Sequence, residues 1–69
     1  MNTSAFRTGD PVYIDFPFED VMFRYEGGKA YRKFYGETQE TEVPISNDLF
    51  RQAEFSGKQV SQADYESKR

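Results

Sequence analysis

The residues with chemistry to offer lie in one basic, aromatic stretch and two acidic ones. From Val21 to Gly36 the chain reads VMFRYEGGKAYRKFYG. Here Arg24, Lys29, Arg32 and Lys33 are interleaved with Tyr25, Tyr31, Phe34 and Tyr35. Cations beside flat rings suit two kinds of partner. Single-stranded RNA or DNA is held by ring stacking and phosphate contacts. Proteins are held at anchors in which Arg and Tyr are over-represented. Arg24, Tyr25, Tyr31, Arg32, Lys33 and Tyr35 are therefore the candidate binding residues. The same rings also supply core to a chain with a single Leu, Leu49.

Glu37, Glu40 and Glu42 form a second candidate surface, acidic and projecting from a turn and strand. With Asp15, Glu19 and Asp20 they could imitate a row of phosphates and block a nucleic-acid-binding enzyme. Charge at a strand edge also serves simply to prevent edge-to-edge association. Asp15, Glu19 and Asp20 offer the oxygen ligands that Mg²⁺ or Ca²⁺ prefer. Their spacing matches no recognised loop, and Phe16, Pro17 and Phe18 interrupt it, so no metal is expected.

Catalytic machinery is largely excluded. The chain has no His and no Cys. That removes the usual proton shuttle near neutral pH, every thiolate mechanism, the Ser-His-Asp triad and zinc sites built on His or Cys. Gly27-Gly28-Lys29 is followed by Ala30, without the Ser or Thr and the upstream Gly of a phosphate-binding loop. No enzyme and no cofactor are expected.

The elements that must position these residues can be read from pattern. Adjacent glycines, Gly27-Gly28, mark a hairpin turn flanked by aromatic strands. A two-residue turn would pair Tyr25 with Ala30 and Phe23 with Arg32, mixing apolar and charged side chains on both faces. A three-residue turn, Gly27-Gly28-Lys29, would put Val21, Phe23, Tyr25, Tyr31 and Tyr35 on one face. Met22, Arg24, Arg32 and Phe34 would take the other. The second register is favoured for its cleaner core face. Before the hairpin, Val12, Ile14, Phe16 and Phe18 alternate with polar positions, and Pro17 ends that strand. After it, Thr41, Val43 and Ile45 alternate with Glu40, Glu42 and Pro44, an edge strand. Then Ser46 or Asn47 caps a short helix that Gly57 ends, with Ile45 stapled onto Leu49 or Phe50. Ser61-Gln62-Ala63-Asp64 resembles a capping box opening a last turn around Tyr65. Phe55 either closes one end of the fold or stands exposed, and an exposed ring beside Tyr65 would mark a partner site.

Composition sets the remaining bounds. In 69 residues there are seven Phe and five Tyr, a set that suits a small sheet better than a helical bundle. The expected fold is mainly β with short C-terminal helices, an SH3-like barrel or antiparallel meander of three to five strands. Residues 9–65 form one domain, flanked by flexible termini at 1–8 and 66–69. Net charge is −3, divided as −3 over residues 1–20, +3 over 21–36 and −3 over 37–69. The hairpin is a basic island between acidic flanks. No apolar run approaches the roughly 20 residues of a membrane span. With no visible signal peptide, a cytoplasmic protein is expected.

Over about ten residues, Gly9 to Phe18 resembles the first strand of the MazF/PemK toxin family, a Gly-Asp opening followed by an alternating strand. What that resemblance implies is a shared strand architecture, and it does not extend past Phe18. The expected function is regulation or inhibition by binding another protein, in a bacterial or phage setting, with monomer and dimer both compatible. The alternatives are a single-stranded nucleic-acid module using 21–36 and the acidic mimic described above.

Overall fold

A computed structural model of the protein describes residues 9–67. It contains a five-stranded antiparallel sheet and two helices. The strands are β1 (Val12–Phe16), β2 (Val21–Glu26), β3 (Lys29–Phe34), β4 (Thr41–Val43) and β5 (Lys58–Val60). The helices are α1 (Asp48–Ser56) and α2 (Gln62–Ser67). The strand order is β4-β3-β2-β1-β5. The fold is thus the mainly β class with short helices. It is a meander with β4 and β5 at opposite edges, not a closed barrel. The expectation of a flexible 1–8 lies outside the described residues. At the other end α2 includes Glu66 and Ser67, and the rest of the expected flexible 66–69 lies outside the described residues.

The hairpin takes the two-residue turn, which corrects the register favoured from sequence. Glu26 pairs with Lys29, Tyr25 with Ala30, Phe23 with Arg32 and Val21 with Phe34. Gly27 and Gly28 have φ of 59° and 78°, the pair of positive values a type I′ turn needs. Tyr31 and Tyr35 therefore join Arg24, and Arg32 and Phe34 join Phe23. The argument for the longer turn assumed one wet face. Both faces are in fact covered, so each can hold apolar and polar groups together.

On the first face α1 packs against β1 and its neighbours. Ile14, Val21, Phe23, Phe50 and Ala53 are fully or almost fully buried there. The Phe23 and Phe50 rings meet edge-on at 5.4 Å, and Tyr25 stacks on Phe50 at 6.1 Å. Burying a ring such as Phe50 stabilises the fold by about 2–3 kcal/mol. The Asn47 side chain caps α1 by accepting from the Phe50 backbone N–H at 3.0 Å. Ile45 is not a staple, because 55% of it stays exposed.

On the second face α2 lies against β1 through Tyr65, its buried residue. The Ser61 hydroxyl accepts from the Asp64 N–H at 3.1 Å, the cap the sequence motif implied. Beneath α2 sit Met22, Tyr13 and Lys33, with Met22 1% exposed. Gly57 ends α1, and its N–H donates to the Ala53 carbonyl at 2.8 Å. From there the chain drops directly into β5, which pairs Asp15 with Lys58 and Tyr13 with Val60.

Candidate functional site

The six candidate binding residues do not form one surface. Strand alternation sends Arg24, Tyr31, Lys33 and Tyr35 to the α2 face, and Tyr25 and Arg32 to the α1 face. Each is at least partly covered, which revises the picture of an exposed basic strip.

Arg24 is the hub of the α2 face. Its Nε donates to Glu40 Oε2 at 2.7 Å and its Nη2 to Glu40 Oε1 at 2.9 Å. This is a bidentate fork of the kind a guanidinium makes best. Nη1 donates to Glu26, and the guanidinium lies 4.1 Å from the Tyr31 ring centroid. Glu40 Oε2 also accepts from the Tyr65 hydroxyl at 2.7 Å. The network spans β2, the segment before β4, and α2. The Arg24 hydrogen bonds hold the Glu40 carboxyl below the usual carboxylate range, and the Tyr65 hydroxyl adds to this against partial burial. Burial first, then the bond to Glu40, pushes the Tyr65 hydroxyl well above a free phenol.

Lys33 is buried, at 6% exposure. Its Nζ donates to the Tyr65 carbonyl at 2.8 Å and lies 4.5 Å from the Tyr65 ring centroid. Tyr65 therefore receives Lys33, bonds Glu40 and packs on Tyr13 at 5.1 Å. Tyr35 turns inward as well. Its hydroxyl donates to the buried Asp15, and burial together with that bond raises its pKa. Burial raises the Tyr13 hydroxyl in the same direction.

Of the acidic candidates, Glu40 is consumed by this network. Glu37 Oε1 accepts from the Phe34 N–H at 2.8 Å, which shapes the turn after β3. Glu42 stands exposed on β4. Asp15 is buried on the α2 face while Glu19 and Asp20 are exposed. Among the described residues no group of three His, Cys, Asp or Glu is placed to hold a metal ion. A polar cleft of about 270 Å³ remains between α2 and the sheet, lined by Tyr13, Arg24, Glu26, Glu40, Gln62, Tyr65 and Glu66.

Sequence reasoning missed Tyr65 as the residue on which the second face closes, and Asp15 as a buried acceptor. The Ser61–Asp64 cap was the available signal for the first. Phe55 is 82% exposed and Phe18 80%, whereas Tyr65 is 3% exposed. An exposed ring and Tyr65 therefore do not form a joint surface.

Arg32 differs from Arg24. It lies opposite Phe23 on β2 and Thr41 on β4. Its guanidinium stands 5.0 Å from the Phe34 ring centroid. Its Nε is buried and meets no acceptor among the described residues.

The fold is a small antiparallel sheet that draws Arg24, Lys33 and Glu40 into its own closure. The chain matches the model of the Tis1 immunity protein family over residues 1–69 and belongs to that family. It is accordingly a small bacterial inhibitory protein that acts by binding another protein. The chain is also similar to one in a crystal structure of the complex between the Type VI effector Tas1 and its immunity protein. Identity there is 33%, the TM-score is 0.87, and the match covers 99% of this chain and 92% of that one. A search of curated proteins finds no match. The likeness of Gly9–Phe18 to the MazF/PemK first strand is local, and the family that spans the whole chain is a different one.

Proposed function

We propose that this chain protects its cell by docking onto a Type VI effector related to Tas1 and holding it inactive. The observation that carries this reading is the immunity-family match along the entire chain, supported by the near-complete overlap with a chain solved in an effector–immunity complex. The action is stoichiometric, not catalytic. This is consistent with an absence of His and Cys and with charged side chains engaged in the fold. The protein works in the cytoplasm. Among the described residues no helix is long and apolar enough to cross a membrane. Nucleic-acid binding through the hairpin loses its ground, because Arg24 is paired with carboxylates and Lys33 is buried.

The test pairs the protein with the Tas1-related effector of the same bacterium. Co-expression is expected to relieve the growth arrest caused by the effector, and the purified proteins are expected to form a complex of fixed stoichiometry by calorimetry. Growth arrest that persists at full expression of the chain, with no heat of binding, would reject the reading.

A further inference from the structure

Phe18 is 80% exposed, on the short turn Pro17–Asp20 that joins β1 to β2. A ring left in water forgoes the gain that burial would bring. The turn nevertheless holds this ring firmly. Pro17 stands first and fixes its own φ. The Asp20 N–H donates to the Pro17 carbonyl at 3.2 Å, and the Tyr35 N–H donates to the Asp20 carbonyl at 2.8 Å. Asp20 takes the left-handed conformation, with φ 53° and ψ 46°, which few residues other than glycine accept. From the core side the buried Phe16 ring meets Phe18 edge-on at 5.9 Å. A second exposed ring lies at the same end of the sheet. Lys58 pairs with Asp15, and the Gly57 backbone closes on Ile14 and Asp15, so the last turn of α1, with Phe55, finishes beside the end of β1. The charge there is mainly negative. Glu19 and Asp20 are exposed on the turn, and exposed Glu37 follows two residues after Tyr35, which bonds Asp20.

We propose that Phe18 is an anchor of the effector interface, entering an apolar socket on the effector whose rim is basic and faces Glu19 and Asp20. The proposal rests on the effector-binding reading and names the surface that carries it. Charge complementarity selects the occupant. In a two-fold dimer built on this turn, Glu19 and Asp20 of one copy would meet the same carboxylates of the other, and like charges brought together oppose association. A rim of Lys or Arg around the socket attracts them instead. The local geometry fits an anchor. A ring whose backbone is already fixed by proline and two hydrogen bonds has little freedom left to lose on docking. Aromatic side chains are enriched in the desolvated centres of interfaces, where a few of them carry most of the binding energy. The acidic flank then serves as the polar rim and speeds encounter with a basic surface.

Two variants test this, Phe18→Ser and Glu19→Lys, each melted alone and measured against the Tas1-related effector of the same bacterium by calorimetry and stopped-flow mixing. Phe18→Ser removes a ring that the free chain leaves in water, so its Tm is expected within about 4 °C of wild type. Its affinity is expected to fall at least about 30-fold, the loss of a hot-spot residue. Glu19→Lys reverses one rim charge on an exposed side chain. Its association rate is expected to fall about threefold to tenfold at low salt, and the difference is expected to shrink as salt is raised. Affinity of Phe18→Ser within about threefold of wild type would overturn the proposal while leaving the effector-binding reading intact. A Tm lowered by more than about 4 °C would show that the ring packs within the chain, and the proposal falls. An association rate unchanged or raised by Glu19→Lys would overturn the basic rim and with it the proposal. If the chain forms a dimer that Phe18→Ser splits, the ring belongs to a second copy and the proposal falls as well. Wild-type protein that does not bind the effector would overturn both readings.

Discussion

Glu40→Gln is the sharpest perturbation of the fold, because one carboxylate there ties three elements together. It accepts two hydrogen bonds from Arg24, at 2.7 and 2.9 Å, and one from Tyr65, at 2.7 Å. The pair is only partly shielded, with 20% of the Arg24 side chain and 26% of the Glu40 side chain exposed. A fully exposed pair would contribute about 0–1 kcal/mol, and breaking a buried one would cost about 3–5 kcal/mol. Glutamine keeps the shape and one acceptor but discards the charge, so a loss of about 2 kcal/mol is expected at pH 7. For a domain of this size that corresponds to a fall of about 8–16 °C in Tm. The pH dependence makes the test specific. The folded Glu40 carboxyl has a depressed pKa. Its contribution is therefore present above the unfolded carboxylate value and is lost as pH falls through the folded one. Urea titrations followed by circular dichroism at pH 7 and near pH 3 should show the gap between wild type and variant closing in acid. A gap below about 0.5 kcal/mol at neutral pH, or one undiminished in acid, would refute the assignment of this network as the clamp on α2.

Two further outcomes follow from the same packing. A methyl group at Gly57 would meet the Ala53 carbonyl oxygen and Ile14 Cγ2 at 2.6 Å each and the Asp15 carbonyl oxygen at 3.0 Å. Two of these are backbone atoms that cannot swing aside, so Gly57→Ala is expected to cost about 1–3 kcal/mol in a thermal melt. At high pH, the folded state holds the Tyr65, Tyr35 and Tyr13 hydroxyls protonated longer than the unfolded chain does. Stability is full below a free phenol's pKa of about 10 and declines above it. Phenolate absorbance should rise together with unfolding, and Tyr65→Phe should flatten that decline.

Much of the architecture is legible from local chemistry. The Asn47 and Ser61 caps, the Gly57 stop, the Pro17 strand end and the Gly27-Gly28 turn are short-range signals, and the structure honours each. What is not legible depends on distant partners. Strand β5 spans three residues, Lys58–Val60, and its pairing with β1 lies more than forty positions away in sequence. Unlike Thr41–Val43, whose alternation runs on into Ile45, Lys58–Val60 has no alternating apolar neighbours to mark it. The hairpin register failed for a related reason. The side on which a mixed strand counts as wet depends on α2, and nothing in Val21–Gly36 encodes that helix.

The candidate site shows the same boundary more finely. Arg24, Arg32 and Lys33 look equivalent in sequence, three cations among rings on one hairpin. Alternation separates Arg24 and Lys33 from Arg32 by a face. Two later residues, Glu40 and Tyr65, then absorb the first pair into the fold. Removing Arg24 or Lys33 would therefore disturb stability and binding together, and loss of affinity in such a variant would not locate an interface. Arg32 packs on the Phe34 ring, and its Nε has no hydrogen-bond partner among the described residues. A change at Arg32 therefore leaves the Glu40–Tyr65 network intact, and its effect on stability is separable from that of Arg24 and Lys33.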